Sequence, residues 1–297
     1  MAQLSLRGAM TALVTPFKED VTQIDWEAFE KLVNAQLDGK ISGLVPCGTT
    51  GETPTLSEAE QLEVIKRTAK LAKGKVPIIA GTGSNDTKKS IAASKAALEA
   101  GADGVMIVMP YYNKPSQEGM CQHVQAIAAA VPCPIILYNI PGRSGVELSA
   151  DSTLRLLDAC DNVISVKDAT GNVAYCQEVI RRAGDRIQMM SGDDPMTLPM
   201  MSVGVKGIIS VTGNIYPRQV TEVVEAVEAG QWEDARKKHL ALYPVHKVLF
   251  VEPNPQPTKA VLAARGMMRA CVRLPLVTAS AAAKELVMKV IQEYEAS

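Results

Sequence analysis

Histidine is scarce in this chain, and so is any excess of charge. Only His123, His239 and His246 occur among 297 residues. No two are spaced like zinc ligands on one helical face, so no histidine-built metal centre is expected, and the three read as surface or core residues. The formal net charge is −1, which offers no basic field for nucleic acid or an anionic membrane. No apolar run has the length of a membrane span, and the opening MAQLSLRGAM lacks a signal peptide's long apolar centre. Six cysteines (Cys47, Cys121, Cys133, Cys160, Cys176, Cys271) are scattered without CxxC spacing. That favours reduced core cysteines in a cytoplasmic protein over a disulfide framework. A dinucleotide fingerprint is missing too: no GxGxxG follows the first apolar run, and GTGSND (81–86) is too short to be one.

What the chain does have is 47% hydrophobic and 21% charged residues, enough for one large core or two ordinary ones. Short apolar, β-rich runs recur eight times: AMTALVTPF (9–17), GLVPCGTT (43–50), VPIIAGTG (76–83), GVMIVMPYY (104–112), PIILYNIP (134–141), NVISVKDAT (162–170), IQMMSGDD (187–194) and GIISVTGN (207–214). Helical periodicity lies between them. Trp26, Phe29, Leu32, Val33 and Leu37 share one stripe, and Ser57 with Glu60 forms a capping box before another. Strands apolar on both faces, each followed by a helix, imply a parallel sheet covered by helices. Eight such units predict an α/β fold, a (β/α)₈ TIM barrel over residues 1–230, with a doubly wound open sheet as the alternative. The eighth helix should stop at Gly230. Residues 231–297 fall outside the repeat and read as a small C-terminal helical appendage, useful for packing or assembly.

Every apolar run ends in polar or turn-forming residues on its C-terminal side, and in a barrel these ends converge on one mouth. One of them is Lys167, which closes the run Val163–Val166. A lysine at a strand end ordinarily turns into solvent. Here it ends a run that is apolar but for Ser165, with Tyr111, Tyr112 and Tyr138 expected at neighbouring strand ends. Desolvation can bring such an amine to a pKa of roughly 7–8 and make it a nucleophile at neutral pH. With neither a metal site nor a nucleotide loop beside it, imine formation with a ketone or aldehyde is the chemistry indicated. Asp193 and Asp194 invite a metal or an acid pair. With no histidine nearby, they read instead as helix caps and loop hydrogen bonds.

The motifs GTTGETPTLS (48–57), PYYNKPSQEG (110–119), YNIPGRSG (138–145), VKDATGN (166–172), SGDD (191–194), GIISVTGN (207–214) and FVEPNPQP (250–257) together resemble the dihydrodipicolinate synthase family. That family belongs to the Schiff-base lyases that include N-acetylneuraminate lyase, and the resemblance spans nearly the whole chain. It implies condensation of pyruvate with L-aspartate 4-semialdehyde on the diaminopimelate route to lysine, with no external cofactor. By the same resemblance Lys167 forms the Schiff base and Tyr138 is the acid/base beside it. Thr50 connects Tyr138 to Tyr112, and Tyr112 reaches into a neighbouring subunit's site. Thr49 and Thr50 hold the pyruvate carboxylate, Ile209 and Gly192 contact substrate, and Arg143 meets the carboxylate of the semialdehyde. The resemblance also implies a homo-oligomer, usually a dimer of dimers.

The resemblance further implies that a lysine effector site would fall at Glu58, Gln61, Ser84, Asn85, Lys89 and Tyr111. Lys89 stands where sensitive members carry a glutamate, and Glu58 and Gln61 stand where they carry histidines. An ammonium facing an ammonium repels, so weak or absent lysine inhibition is expected. N-acetylneuraminate lyase or a keto-sugar-acid aldolase remains the alternative activity, and a non-catalytic binding barrel the alternative class.

Overall fold

The computed structural model of the chain describes residues 4–297. Met1, Ala2 and Gln3, which open the stretch read for a signal peptide and the expected 1–230 unit, lie outside them. The eight strands are β1 (Gly8–Ala12), β2 (Gly43–Val45), β3 (Ile79–Gly81), β4 (Gly104–Val108), β5 (Ile135–Asn139), β6 (Val163–Asp168), β7 (Met190–Ser191) and β8 (Gly207–Ser210). They pair in parallel in the order β2-β1-β8-β7-β6-β5-β4-β3. A parallel bridge between Leu44 and Ile78 joins the two ends. Each strand lies beside its neighbour in sequence and no switch point interrupts the order, so the sheet is a closed (β/α)₈ barrel and not an open doubly wound sheet.

Around the barrel run α1 (Trp26–Asp38), α2 (Glu58–Ala72), α3 (Thr87–Glu99), α4 (Gln117–Ala130), the single turn α5 (Pro141–Ser144), α6 (Ala150–Ala159), α7 (Val173–Ala183), the short α8 (Thr197–Met201) and α9 (Pro217–Glu228). Three more follow: α10 (Trp232–Val248), α11 (Gln256–Ala264) and α12 (Ala281–Glu295). The local rules hold. Asp25 caps α1 through the Ala28 N–H, and Ser57 and Glu60 form both bonds of a capping box on α2. On α1, Phe29, Leu32 and Val33 are buried while Trp26 and Leu37 are half-buried. Gly230 follows α9 at φ 74°, a left-handed position that glycine takes without strain. Strand β7 is shorter than the predicted run because the chain turns at Gly192, whose N–H already bonds the Asp168 carbonyl.

Two apolar layers result from the alternation of strand side chains. Met10, Val45, Met106, Ile136 and Ile209 fill the barrel interior. Leu137 and Val166 face outward into the larger layer under the helices, with Phe29 and Leu32. All six cysteines are free, five of them buried and Cys271 half-buried.

Candidate active site

In β5 and β6 the register places Tyr138 directly beside Lys167. Neighbouring residues of a parallel pair point to the same face, so both side chains enter the barrel while Val166 and Asp168 turn outward. Asp168 accordingly bonds Cys176 of α7. Lys167 is only 4% exposed, and its nitrogen lies 4.2 Å from the centre of the Tyr138 ring. Burial brings the Lys167 amine down to about 8, against the upward pull of the Asp194 carboxylate and with a smaller downward push from Arg143. Burial also pushes the Tyr138 phenol well above its ordinary value, only partly offset by Arg143 and a hydrogen bond with the Thr49 side chain. The pair therefore offers some free amine and a firmly protonated phenol at neutral pH. These are the states needed to attack a carbonyl and to protonate its oxygen.

Space around the amine is set by Gly192. A Cβ at that position would sit 2.9 Å from Lys167 Cε, so a side chain there collides with the lysine. Ile209, 1% exposed, lies in β8 beside Met10 of β1. A cavity of about 980 Å³ has Thr49, Tyr138 and Arg143 in its wall, whereas Lys167, Thr50, Gly192 and Ile209 do not line it. It extends between α2 and α3, where Glu58, Gln61, Ser84, Lys89 and Tyr111 also line it. Asn85 does not line it; its carbonyl accepts from the Asn113 side chain at 3.0 Å. Gln61 is already engaged, donating to the Thr53 and Leu56 carbonyls.

Several expectations change in three dimensions. Thr49 and Thr50 occupy one 3₁₀ turn, Thr49–Gly51, in which successive side chains diverge by about 120°. Only Thr49 reaches Tyr138. The Thr50 hydroxyl instead accepts from Asn254 Nδ2 at 2.9 Å, so the link to Tyr138 that was assigned to Thr50 belongs to Thr49. Of the three tyrosines expected near Lys167, one chain brings only Tyr138 to it. Tyr111 is 36% exposed, and Tyr112 is 89% exposed and outside the cavity wall, held at φ 72°.

Of the helix caps and loop hydrogen bonds expected of the acid pair, the structure shows the loop bonds, on Asp194, and no cap from Asp193. Asp194 is buried and accepts from the Ser210 hydroxyl and, at 2.9 Å, the Val211 N–H. Histidines are in fact close: His246 Nδ1 lies 3.9 Å from Asp194, and the His239 and His246 rings are 5.7 Å apart. Each ring has another partner, His246 the Thr212 hydroxyl and His239 the Pro195 carbonyl. Burial lowers the pKa of both, His246 to about 4, so they are neutral core residues. Among the described residues no group of three or more His, Cys, Asp or Glu is gathered as a metal site.

Sequence reasoning gave no role to Asn254, Lys259 or Arg273, although FVEPNPQP was noticed as a motif. Lys259 is fully buried and forms an ion pair with Glu52, the last residue of GTTGE. A lysine inside an otherwise apolar helical stretch was the available clue.

Residues 5–294 match the model of the dihydrodipicolinate synthetase family. The chain belongs to that family. The 4-hydroxy-tetrahydrodipicolinate synthase of Sorangium cellulosum is 57% identical over 296 residues, covering 100% of this chain and 98% of the relative. The crystal structure of dihydrodipicolinate synthase from Aquifex aeolicus superposes with a TM-score of 0.95 at 41% identity, over 98% of both chains. The chloride-inhibited dihydrodipicolinate synthase from Acinetobacter baumannii, complexed with pyruvate, gives 0.95 at 40% identity, over 98% of this chain and 99% of that one. Dihydrodipicolinate synthases are lyases of the Schiff-base type, and the buried lysine beside a tyrosine is the arrangement such chemistry needs.

Proposed function

We propose that the protein is a 4-hydroxy-tetrahydrodipicolinate synthase, condensing pyruvate with L-aspartate 4-semialdehyde through a Schiff base on Lys167. The observation that carries this reading is the Lys167 amine, buried, lowered to about 8 and set against Tyr138. Family membership and the 57% identical relative support the choice of substrates. The Lys167 amine adds to the C2 carbonyl of pyruvate, and Tyr138 delivers the proton with which water leaves. The negative charge of Asp194, which favours the protonated lysine, favours the cationic imine as well. Loss of a C3 proton gives an enamine, which attacks the semialdehyde's aldehyde carbon to form the carbon–carbon bond. The product's own amino group then displaces Lys167 by transimination and closes the ring, freeing the enzyme.

Thr49 holds the Tyr138 hydroxyl, and the Thr49–Thr50 turn takes the keto-acid carboxylate. Arg143, exposed on α5 and facing the cavity, suits the second carboxylate because a guanidinium pairs with it through two N–H bonds. Tyr112 supports a homo-oligomer. A bulky residue in left-handed backbone is strained, and an aromatic left 89% exposed gains burial only against another chain. The reading is therefore at least a homodimer, extended to a dimer of dimers, working in the cytoplasm.

Borohydride in the presence of pyruvate should add a pyruvyl mass at Lys167, and the purified protein should consume pyruvate only with aspartate semialdehyde. An unmodified Lys167 would support a binding barrel. Turnover of N-acetylneuraminate alone would move the protein to the sialic-acid lyases.

A further inference from the structure

The C-terminal segment was expected to serve packing or assembly, yet its most deeply buried groups end on the turn that carries Thr49 and Thr50. Lys259, on α11, is 0% exposed and donates to Glu52 Oε1 at 2.5 Å and to the Cys271 carbonyl at 2.8 Å. The second carboxylate oxygen of Glu52 accepts the Arg273 N–H at 3.0 Å. Glu52 itself sits at φ 56°, ψ 34°, in left-handed backbone directly after the Thr49–Gly51 turn. Such a conformation persists in a glutamate only when its surroundings enforce it. Arg273 then runs back over the neighbouring loop, donating to the carbonyls of Val21 and Thr55 and to both oxygens of Glu60. The Phe17 ring is 4.3 Å from the Lys259 nitrogen and 4.4 Å from the Arg273 guanidinium.

A buried ion pair is a poor source of stability, since well-packed apolar residues often replace one without loss. Its contacts here constrain position, since both carboxylate oxygens of Glu52 are taken. Asn254 completes the arrangement. Its Nδ2 can only donate, so Thr50 Oγ1 must accept from it, and the Thr50 proton is left to point elsewhere. A hydroxyl held that way is a fixed donor, which an incoming carboxylate needs.

We propose that Lys259, Glu52 and Asn254 are positioning residues for keto-acid capture. The buried pair locks the turn's left-handed exit, and Asn254 directs the Thr50 hydroxyl toward the substrate carboxylate. This inference rests on the reading that the Thr49–Thr50 turn binds pyruvate. It adds that the C-terminal segment, through these contacts, sets the affinity for one of the two substrates.

The test compares the full-length wild type with Asn254→Ala and with the charge-neutral double variant Glu52→Gln/Lys259→Met. Each variant should raise the KM for pyruvate roughly tenfold. The KM for aspartate semialdehyde, held from α5 by Arg143, and the thermal midpoint should stay near the wild-type values. Asn254→Ser, which restores a short donor and acceptor, should recover part of the pyruvate affinity. An unchanged pyruvate KM, a fall in kcat alone, or an equal loss for both substrates together with a lowered midpoint overturns the proposal. If the double variant does not fold, Asn254→Ala, which removes no charge, decides by itself. Borohydride trapping of pyruvate on the wild type is the separate control: its failure refutes the substrate reading, whereas trapping with unaltered variant KM values refutes only the positioning role.

Discussion

Lys167→Met should abolish the Schiff base and at the same time make the protein more stable. Lys167 is 4% exposed and its pKa falls from 10.5 to about 8, chiefly through burial. At pH 7 about one amine in ten is then free, against about one in three thousand for an unshifted lysine, a gain of roughly 300-fold in nucleophile. The same shift weakens the fold. Between pH 8 and 10.5 the unfolded chain binds more protons than the folded one, so stability rises with pH across that window. Below pH 8 the full penalty applies. The fall from 10.5 to about 8, at 1.36 kcal/mol for each tenfold change in the proton equilibrium, corresponds to about 3 kcal/mol.

Methionine keeps the length of the side chain without its charge, so Lys167→Met should recover most of that amount at pH 7. Thermal unfolding should show a midpoint roughly 5–10 °C higher. At pH 10.5 the advantage should shrink to near zero, because the wild-type lysine no longer suffers there. An equal or lower midpoint at pH 7, or a gain that does not vary with pH, refutes the argument that burial activates this amine. The rate profile offers a companion measurement: kcat/KM for pyruvate should rise with pH through an apparent pKa near 8.

Gly192→Ala should cut kcat/KM by roughly 100-fold, since the new methyl meets Lys167 Cε at 2.9 Å; near-normal steady-state kinetics would show that the lysine has room to yield. Glu60, whose pKa hydrogen bonds from Arg273 lower from 4.5 to about 2, contributes stability above pH 4.5 that is lost as pH falls through 2. Glu60→Gln should therefore cost about 1–2 kcal/mol at pH 7 and flatten the decline of stability between pH 5 and 2, measured by urea unfolding. Tyr112→Phe should lower kcat by roughly tenfold or more while its sedimentation matches the wild type, and full activity would remove Tyr112 from the reaction. Lysine at about 1 mM should leave the initial rate nearly unchanged, because Lys89 presents a like charge to its ammonium; a micromolar inhibition constant refutes this.

The alternation of apolar strands and amphipathic helices was enough, read along the chain, to count eight units and to place Lys167 at the end of the sixth. Such periodicities are local and survive in a linear reading. The motifs likewise named Tyr138, Arg143 and the paired threonines. What a linear reading could not decide was direction. Thr49 and Thr50 are adjacent letters, yet a 3₁₀ turn sends one hydroxyl to Tyr138 and the other to Asn254, about two hundred residues away in the chain. Register, not spacing, put Tyr138 beside Lys167. Only closure of the barrel brought Asp194 into reach as the anion that opposes the lysine's loss of charge.

The C-terminal helices show the same division most plainly. Their sequence gave helix and proline breaks, but the Lys259–Glu52 pair joins residues 207 apart. Contacts of that separation exist only once the chain has folded, because electrostatics and hydrogen bonding act through space while sequence patterns report only neighbours. The amino-acid order thus settled which elements form and which residue types carry chemistry. The packed structure settled which of those residues touch, what their protonation is, and which distant segment holds them in place.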